Sequence, residues 1–283
     1  MLGGDFNTWF GFSERAYAER RTALGEELVR GTFLRGIVPE LEDTVADLGR
    51  NMRRGELASL KPGEYNIILG AAQSFHDHRL FRRAGTVEFG YLEAVGEQAF
   101  RVYDQPDAGM WELRTRARIH TSSALMSWAA CDRLAKIAGA LGLPERVRHW
   151  RVRADEIRTR VLKESWSEQR QAFAESFGGR DLDASALLMA EVNMIDPNDP
   201  RFVSTVNALE RSLCDGPYMR RYEAADDFGK PETAFNICTF WRIDALARIG
   251  RKGQAREIFE VMLGSRNPLG LLSEDMAFED GEA

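Results

Sequence analysis

Histidine and cysteine are scarce in this chain, and their scarcity removes whole classes of chemistry. Four histidines and three cysteines stand among 283 residues. The cysteines, Cys131, Cys214 and Cys238, are odd in number and widely spaced. That excludes a disulfide framework and suits a reducing compartment. His76 and His78 flank Asp77. On a helix, positions two apart face different ways, so the pair does not serve one metal, and no metal site is expected. His120 and His149 are solitary and read as structural residues. No Ser, His and Asp arrangement stands out, there is no glycine-rich phosphate loop, and "GRKGQ" at Gly250 is a helix connection. Long apolar runs are also missing: none reaches the roughly 18 residues of a membrane helix. The opening MLGGDFNTWFGFSER has no basic segment followed by an apolar run, so no secretory signal is expected. Nor is positive charge in excess. The formal net charge is -6 and the isoelectric point about 5.5, which argues against a nucleic-acid partner. The expectation is a soluble, cytoplasmic protein without membrane or nucleic-acid partners.

What is present is the material of a large helical core. Hydrophobic residues make up 44% and charged residues 29% of the chain, and the length suits one large domain or two ordinary ones. AYAERRTALGEELVRGTFL and IVPELEDTVADLGRNMRRG read as charged amphipathic helices, the second with Pro39 near its start and Gly55 past its end. IILGAAQSFHDHRLF is more apolar. TVEFGYLEAVGEQAFRVY is amphipathic, with Phe89, Leu92, Val95, Ala99, Phe100 and Tyr103 as its apolar residues. TSSALMSWAACDRLAKIAGALG is a strongly apolar helix, with Thr121 or Ser122 as its N-cap and a stop from Gly142 to Pro144. The charged PERVRHWRVRADEIRTRVLKESW follows as its hairpin partner. SEQRQAFAESFGGRDLD has strand or loop character, DASALLMAEVNMI reads as a buried helix, and "DPNDP" is a turn. RFVSTVNALERSLC, TAFNICTFWRIDALARIG and KGQAREIFEVMLGSR are helices, while GPYMRRYEAADDFGKPE is a long loop. Apolar helix, loop and charged helix alternate, the pattern of two helical layers with long loops at one face.

Chemistry then rests on carboxylates. Glu112 follows Trp111 after the turn Asp107–Gly109, at what reads as a loop-to-helix junction. An aromatic wall desolvates a carboxylate and raises its pKa, as a general acid near neutral pH requires. Glu274, in "GLLSEDM", is a second loop carboxylate behind an apolar run. Two such groups suit glycoside hydrolysis, one protonating the leaving oxygen and one activating water. Among 44 acids many pairs exist, and a helix-start role explains Glu112 equally well.

The string YDQPDAGMWELRTRARIHTSSALMSWAACDRLAKIA decides between them by resemblance. It resembles glycoside hydrolase family 15, the glucoamylases, glucodextranases and some trehalases. The "WE" pair is followed by Ser123, Met126, Trp128, Ala130, Asp132 and Arg133 in the family's helix pattern, with His120 just before it. Further along, "LDASALLM" with Asp183, then the "RY" of Arg221 and Tyr222, then Glu232, Phe235 and Trp241, and finally "NPLGLLSEDM" follow in family order. The likeness covers roughly residues 65 to 283.

The resemblance implies an all-α fold, an (α/α)6 toroid of glucoamylase type. It implies residues 1–60 as charged N-terminal helices with a weak match and 61–283 as a partial toroid domain. It implies an inverting reaction on α-linked glucosides such as starch oligosaccharides or trehalose, with Glu112 as acid, Glu274 as base, and no cofactor. Trp111, Arg221, Tyr222, Glu232 and Phe235 would bind the sugar. The family's W-D-x-R segment and its N-x-P-Q segment have no counterpart here, so the likeness implies a shortened toroid whose exposed helix faces favour a homo-oligomer. The alternative is a non-catalytic helical toroid that binds carbohydrate or a partner protein.

Overall fold

The computed structural model describes Ile68, Ala72, Phe75, His76 and residues 84–113, 116–226 and 229–278. The helices read from residues 16 to 54, the 1–60 segment and His78 lie outside the described residues. Two compact units divide the chain, one holding residues 1–103 and 126–156, the other 104–125 and 157–283.

In the first unit, α1 (Thr86–Val102) buries Phe89, Leu92, Val95, Gly96, Ala99 and Val102. These recur at three- and four-residue steps, so one face is apolar throughout. The residues of α2 (Thr121–Ala140) from Met126 onward are mostly buried. Gly142, with φ 71°, ends this helix, and Leu143 N–H donates back to the Ala138 carbonyl at 2.9 Å. Pro144 then opens α3 (Pro144–Glu164) with its fixed φ. The charged face of α3 is tied down in this unit. Glu93 accepts from Trp150 Nε1 and Arg146 Nε, each at 2.6 Å. Glu97 accepts from Arg153 Nη2 at 2.9 Å and contacts His149 Nε2 at 2.7 Å. Burial alone would raise the pKa of Asp132, but hydrogen bonds from Lys136 and Arg151 and the charge of Arg133 outweigh it and hold the carboxyl low.

The second unit is built from short helices and three two-residue strand pairs. A hairpin pairs β1 (Trp166–Ser167) with β2 (Ala172–Phe173). Residues 119–121 run antiparallel to 175–177, with Thr121 N–H donating to the Glu175 carbonyl at 2.7 Å. Thr121 does not cap α2. Its hydroxyl donates to the Ala174 carbonyl at 2.7 Å instead, because the adjacent strand offers a fixed acceptor. The segment read as one buried helix after Asp183 is a 3-10 turn (Ala184–Leu187) followed by α4 (Leu188–Glu191), all of it buried. Asp199 caps α5 (Pro200–Leu213), whose first residue is proline. β3 (Cys214–Asp215) pairs with β4 (Tyr218–Met219) inside the segment read as loop. β5 (Ala234–Phe235) leads into α6 (Asn236–Arg248), which forms a hairpin with α7 (Lys252–Gly264). β5 pairs antiparallel with β6 (Asp275–Met276). Arg242 of α6 is buried. It donates to Glu210 at 2.8 Å and to the carbonyls of Gly216 and Pro217 at 3.0 Å, so the charge is fully engaged.

Candidate active site

The loop carrying Trp111 and Glu112 closes on itself. Asp107 N–H donates to the Arg118 carbonyl at 2.9 Å, and Arg118 N–H returns the bond at 3.1 Å. Inside it, Glu112 N–H donates to the Gly109 carbonyl at 3.2 Å and Leu113 N–H to that of Ala108 at 2.9 Å. Gly109 has φ 69°. A Cβ there would sit 2.9 Å from the His120 ring, so conformation and space both call for glycine. Glu112 has φ 55°, a left-handed backbone that costs a non-glycine residue about 1–2 kcal/mol. Such strain persists where surrounding structure over-determines it and is common at functional sites. The helix-start reading of Glu112 therefore fails. α2 begins only at Thr121, and Glu112 is an exposed loop residue.

The tryptophan beside it is held by residues far along the chain. Its indole Nε1 donates to Asp183 Oδ2 at 2.7 Å. Around that indole lie Phe235, Tyr222 and Trp241, with ring centroids 5.7, 5.9 and 6.1 Å away. Arg221 lays its guanidinium over Tyr222 at 5.6 Å and over Phe235 at 5.2 Å. The Tyr222 hydroxyl donates to Asp226 at 2.5 Å, and burial together with that bond raises the tyrosine pKa. Residues 182–184 pair with 221–223: Asp183 bridges Tyr222, Ala184 N–H donates to the Arg221 carbonyl at 2.9 Å, and Glu223 N–H to that of Leu182 at 3.2 Å. Glu223 accepts a two-pronged bond from Arg170, at 2.7 and 3.0 Å, and a bond from Leu182 N–H at 2.9 Å. These contacts fix the Arg221–Tyr222 segment.

Glu274 reaches the same aromatic group through β5. Phe235 pairs in register with Asp275, the residue after Glu274. Asn236 N–H donates to the Glu274 carbonyl at 2.9 Å, and the Asn236 side chain to that of Ser273 at 2.9 Å. The Glu274 side chain is exposed.

Beneath the loop lies a layer of buried polar groups. Asp183 is 5% exposed. Burial raises its carboxyl pKa, against hydrogen bonds from Ser185 and Trp111 that lower it. Glu175 is likewise raised by burial, opposed by Arg118, with which it pairs, and by Arg116. His120 is lowered from its ordinary 6.5, chiefly by burial, with Asp107 opposing and Arg118 and Arg116 assisting. Ser123 donates to Asp107 Oδ2 at 2.6 Å.

Trp111, Arg221, Tyr222 and Phe235 thus come together as the sequence led one to expect. Glu232 is exposed, and among the described residues no hydrogen bond, ion pair or ring contact links it to the cluster. Two participants were given no role from sequence. Trp241 appeared only as a motif position, although its place on the first turns of α6 after Phe235 put it on the same side. Asp183 appeared as a motif acid, and the following Ser185 marked it as a cap, but no pattern announced its bond to Trp111. Among the described residues no group of three or more histidine, cysteine, aspartate or glutamate side chains is placed to hold a metal ion, and no helix is long and apolar enough to cross a membrane.

Comparison with known proteins gives this geometry a context. The family model for glycosyl hydrolases family 15 matches residues 97–275. A trehalase of Thermoplasma volcanium is 31% identical over 255 residues, covering 86% of this chain and 40% of the trehalase. A trehalase of Mycobacterium tuberculosis is 36% identical over 193 residues, 67% of this chain and 28% of its own length. The chain therefore spans well under half the length of these curated relatives. Among solved structures, a wild-type glycosidase superposes with TM-score 0.65 at 17% identity, covering 89% of this chain and 73% of that one. A bacterial glucoamylase complexed with acarbose superposes with TM-score 0.55 at 12% identity, covering 69% of this chain and 35% of that one. These likenesses are of fold, the all-α glucoamylase type.

Proposed function

Because the chain belongs to glycosyl hydrolases family 15, we propose that it hydrolyses an α-linked glucoside, with α,α-trehalose as the substrate its curated relatives favour. The observation that carries this reading is the place of Phe235. Its ring lies 5.7 Å from Trp111, the neighbour of Glu112, while its backbone pairs with Asp275, the neighbour of Glu274. The chain neighbours of both candidate carboxylates therefore meet at Phe235, and Glu112 and Glu274 are themselves exposed, which supports the reading.

The reaction assigned to them is inverting. Glu112, as the protonated acid, gives its proton to the glycosidic oxygen as the C1–O bond breaks. Glu274, as carboxylate, takes a proton from the water that attacks C1 from the opposite face. Inversion needs the carboxyl groups about 6.5–9.5 Å apart, with the water between them. Trp111, Tyr222 and Phe235 offer apolar faces to a pyranose ring. Arg221, held over two of those rings, presents planar donors to sugar hydroxyls.

Anomer-resolved proton NMR of trehalose cleavage tests this. Inversion releases one β-glucose from the attacked sugar and one α-glucose from the leaving group, so the first turnovers give equal amounts. Retention gives α-glucose alone and contradicts the proposal. Glu112→Gln and Glu274→Gln should each lower kcat by about 10²–10⁴-fold with unchanged far-ultraviolet circular dichroism. Wild-type turnover in either variant overturns that residue's role, and a folded wild-type protein that binds trehalose without cleaving it supports the non-catalytic alternative.

A further inference from the structure

Asp183 takes no part in those proton transfers, yet it touches the loop of the proposed acid and the Arg221–Tyr222 segment. Its two oxygens are engaged separately. Oδ2 accepts from the Trp111 indole at 2.7 Å, and Oδ1 accepts from Ser185 N–H at 2.7 Å, capping the 3-10 turn. Its backbone bridges Tyr222, and the next residue's N–H holds the Arg221 carbonyl at 2.9 Å. We propose that Asp183 is the positioning residue that fixes the Trp111 indole and registers the Glu112 loop against the Arg221–Tyr222 segment. Its catalytic consequence rests on the function proposed above.

The physical case has three parts. A carboxylate 5% exposed is costly unless its oxygens are satisfied, so turning the indole away would take a donor from Oδ2. Three aromatic rings enclose that indole at 5.7–6.1 Å and leave the donor few other acceptors. Trp111 and Glu112 share a peptide, and Glu112 has φ 55°. A backbone shift that frees Trp111 would therefore be felt at the left-handed Glu112.

A simple capping role would predict something different, and Asp183→Asn separates the two. Asparagine caps as well as aspartate. It has one acceptor oxygen where aspartate has two, so with the cap kept on that oxygen its amide faces the indole donor to donor. The Trp111 indole proton, identified among six tryptophans by its loss in Trp111→Phe, should shift upfield and exchange faster with solvent in Asp183→Asn. On trehalose, Asp183→Asn should lower kcat/KM by about tenfold, the equivalent of one hydrogen bond to a charged acceptor, mainly through KM. In a Trp111→Phe background the same substitution should change kcat/KM less than about twofold, since coupled residues are non-additive. An unmoved indole resonance in Asp183→Asn, or independent multiplying effects in the double variant, overturns the proposal. Should the wild-type protein cleave neither trehalose nor maltose, the functional reading fails, and the indole resonance still decides the role of Asp183.

Discussion

His120 sits where a charge is unwelcome. It is buried against the Gly109 turn, with Asp107, Arg116 and Arg118 as the charged groups around it. Its folded pKa lies below the ordinary 6.5, mainly through burial, so the fold prefers the neutral ring. Below pH 6.5 the unfolded chain takes up a proton that the folded one declines, and stability falls with pH down to the folded pKa. Above pH 6.5 the contribution is fully present. Asp183 and Glu175, with carboxyl pKa values raised by burial, act in the opposite sense. Melting temperatures of wild type and His120→Gln between about pH 7.5 and 5 isolate the histidine: the variant should lose less Tm on acidification. Parallel curves would remove His120 as an acid-sensitive element. The same residue marks a limit of sequence reading. A solitary histidine ahead of α2 reads as structural; the fold buries it with Nε2 lacking a hydrogen-bond partner among the described residues, and its seat on Gly109 is a contact eleven positions apart that no local period encodes.

At the scale of elements, long helices were legible and short ones were not. α1, α2 and α3 follow from apolar residues at helical steps and from Gly142 and Pro144 between the last two. The segment after Asp183 has the apolar content of a helix but becomes a 3-10 turn and four α-helical residues, its start being bound to Arg221 and Trp111. The strand pairs have two residues each, too few to show alternation, and the partner of β5 lies about forty positions on. Packing within the first unit makes one element testable. A Cβ at Gly96 of α1 would collide with Leu134 of α2 and lie 2.9 Å from the Trp150 ring of α3. Gly96→Ala improves helix propensity by up to about 1 kcal/mol, while overpacking costs about 1–3 kcal/mol. The net result should be a lower melting temperature by circular dichroism; a higher one would mean that the helices part to admit a methyl group.

For the whole molecule, the fold class was legible because the alternation of apolar and charged helices fills most of the chain, while family order proposed Glu112, Arg221, Tyr222, Phe235 and Glu274 as the site. The sequence did not convey how the indole faces, since that depends on a carboxylate 72 positions away. Substrate binding should register globally. A ligand that binds only the folded chain stabilises it by about 1.4 kcal/mol at ten times its Kd, or a few degrees in Tm. Trehalose should therefore raise the melting temperature above that seen with an equal concentration of mannitol, which controls for general sugar effects. Identical curves would speak against a trehalose site.

The left-handed backbone at Glu112 sets folding and function against each other at a single codon. Glycine or asparagine adopts that conformation with little strain, so a library screened only for solubility or heat resistance would tend to discard the glutamate. A screen that also rewards sugar release would hold it in place. Any effort to make this protein hardier must therefore leave position 112 outside its mutable set, and how often a stability-only lineage abandons that glutamate measures how little the fold itself needs it.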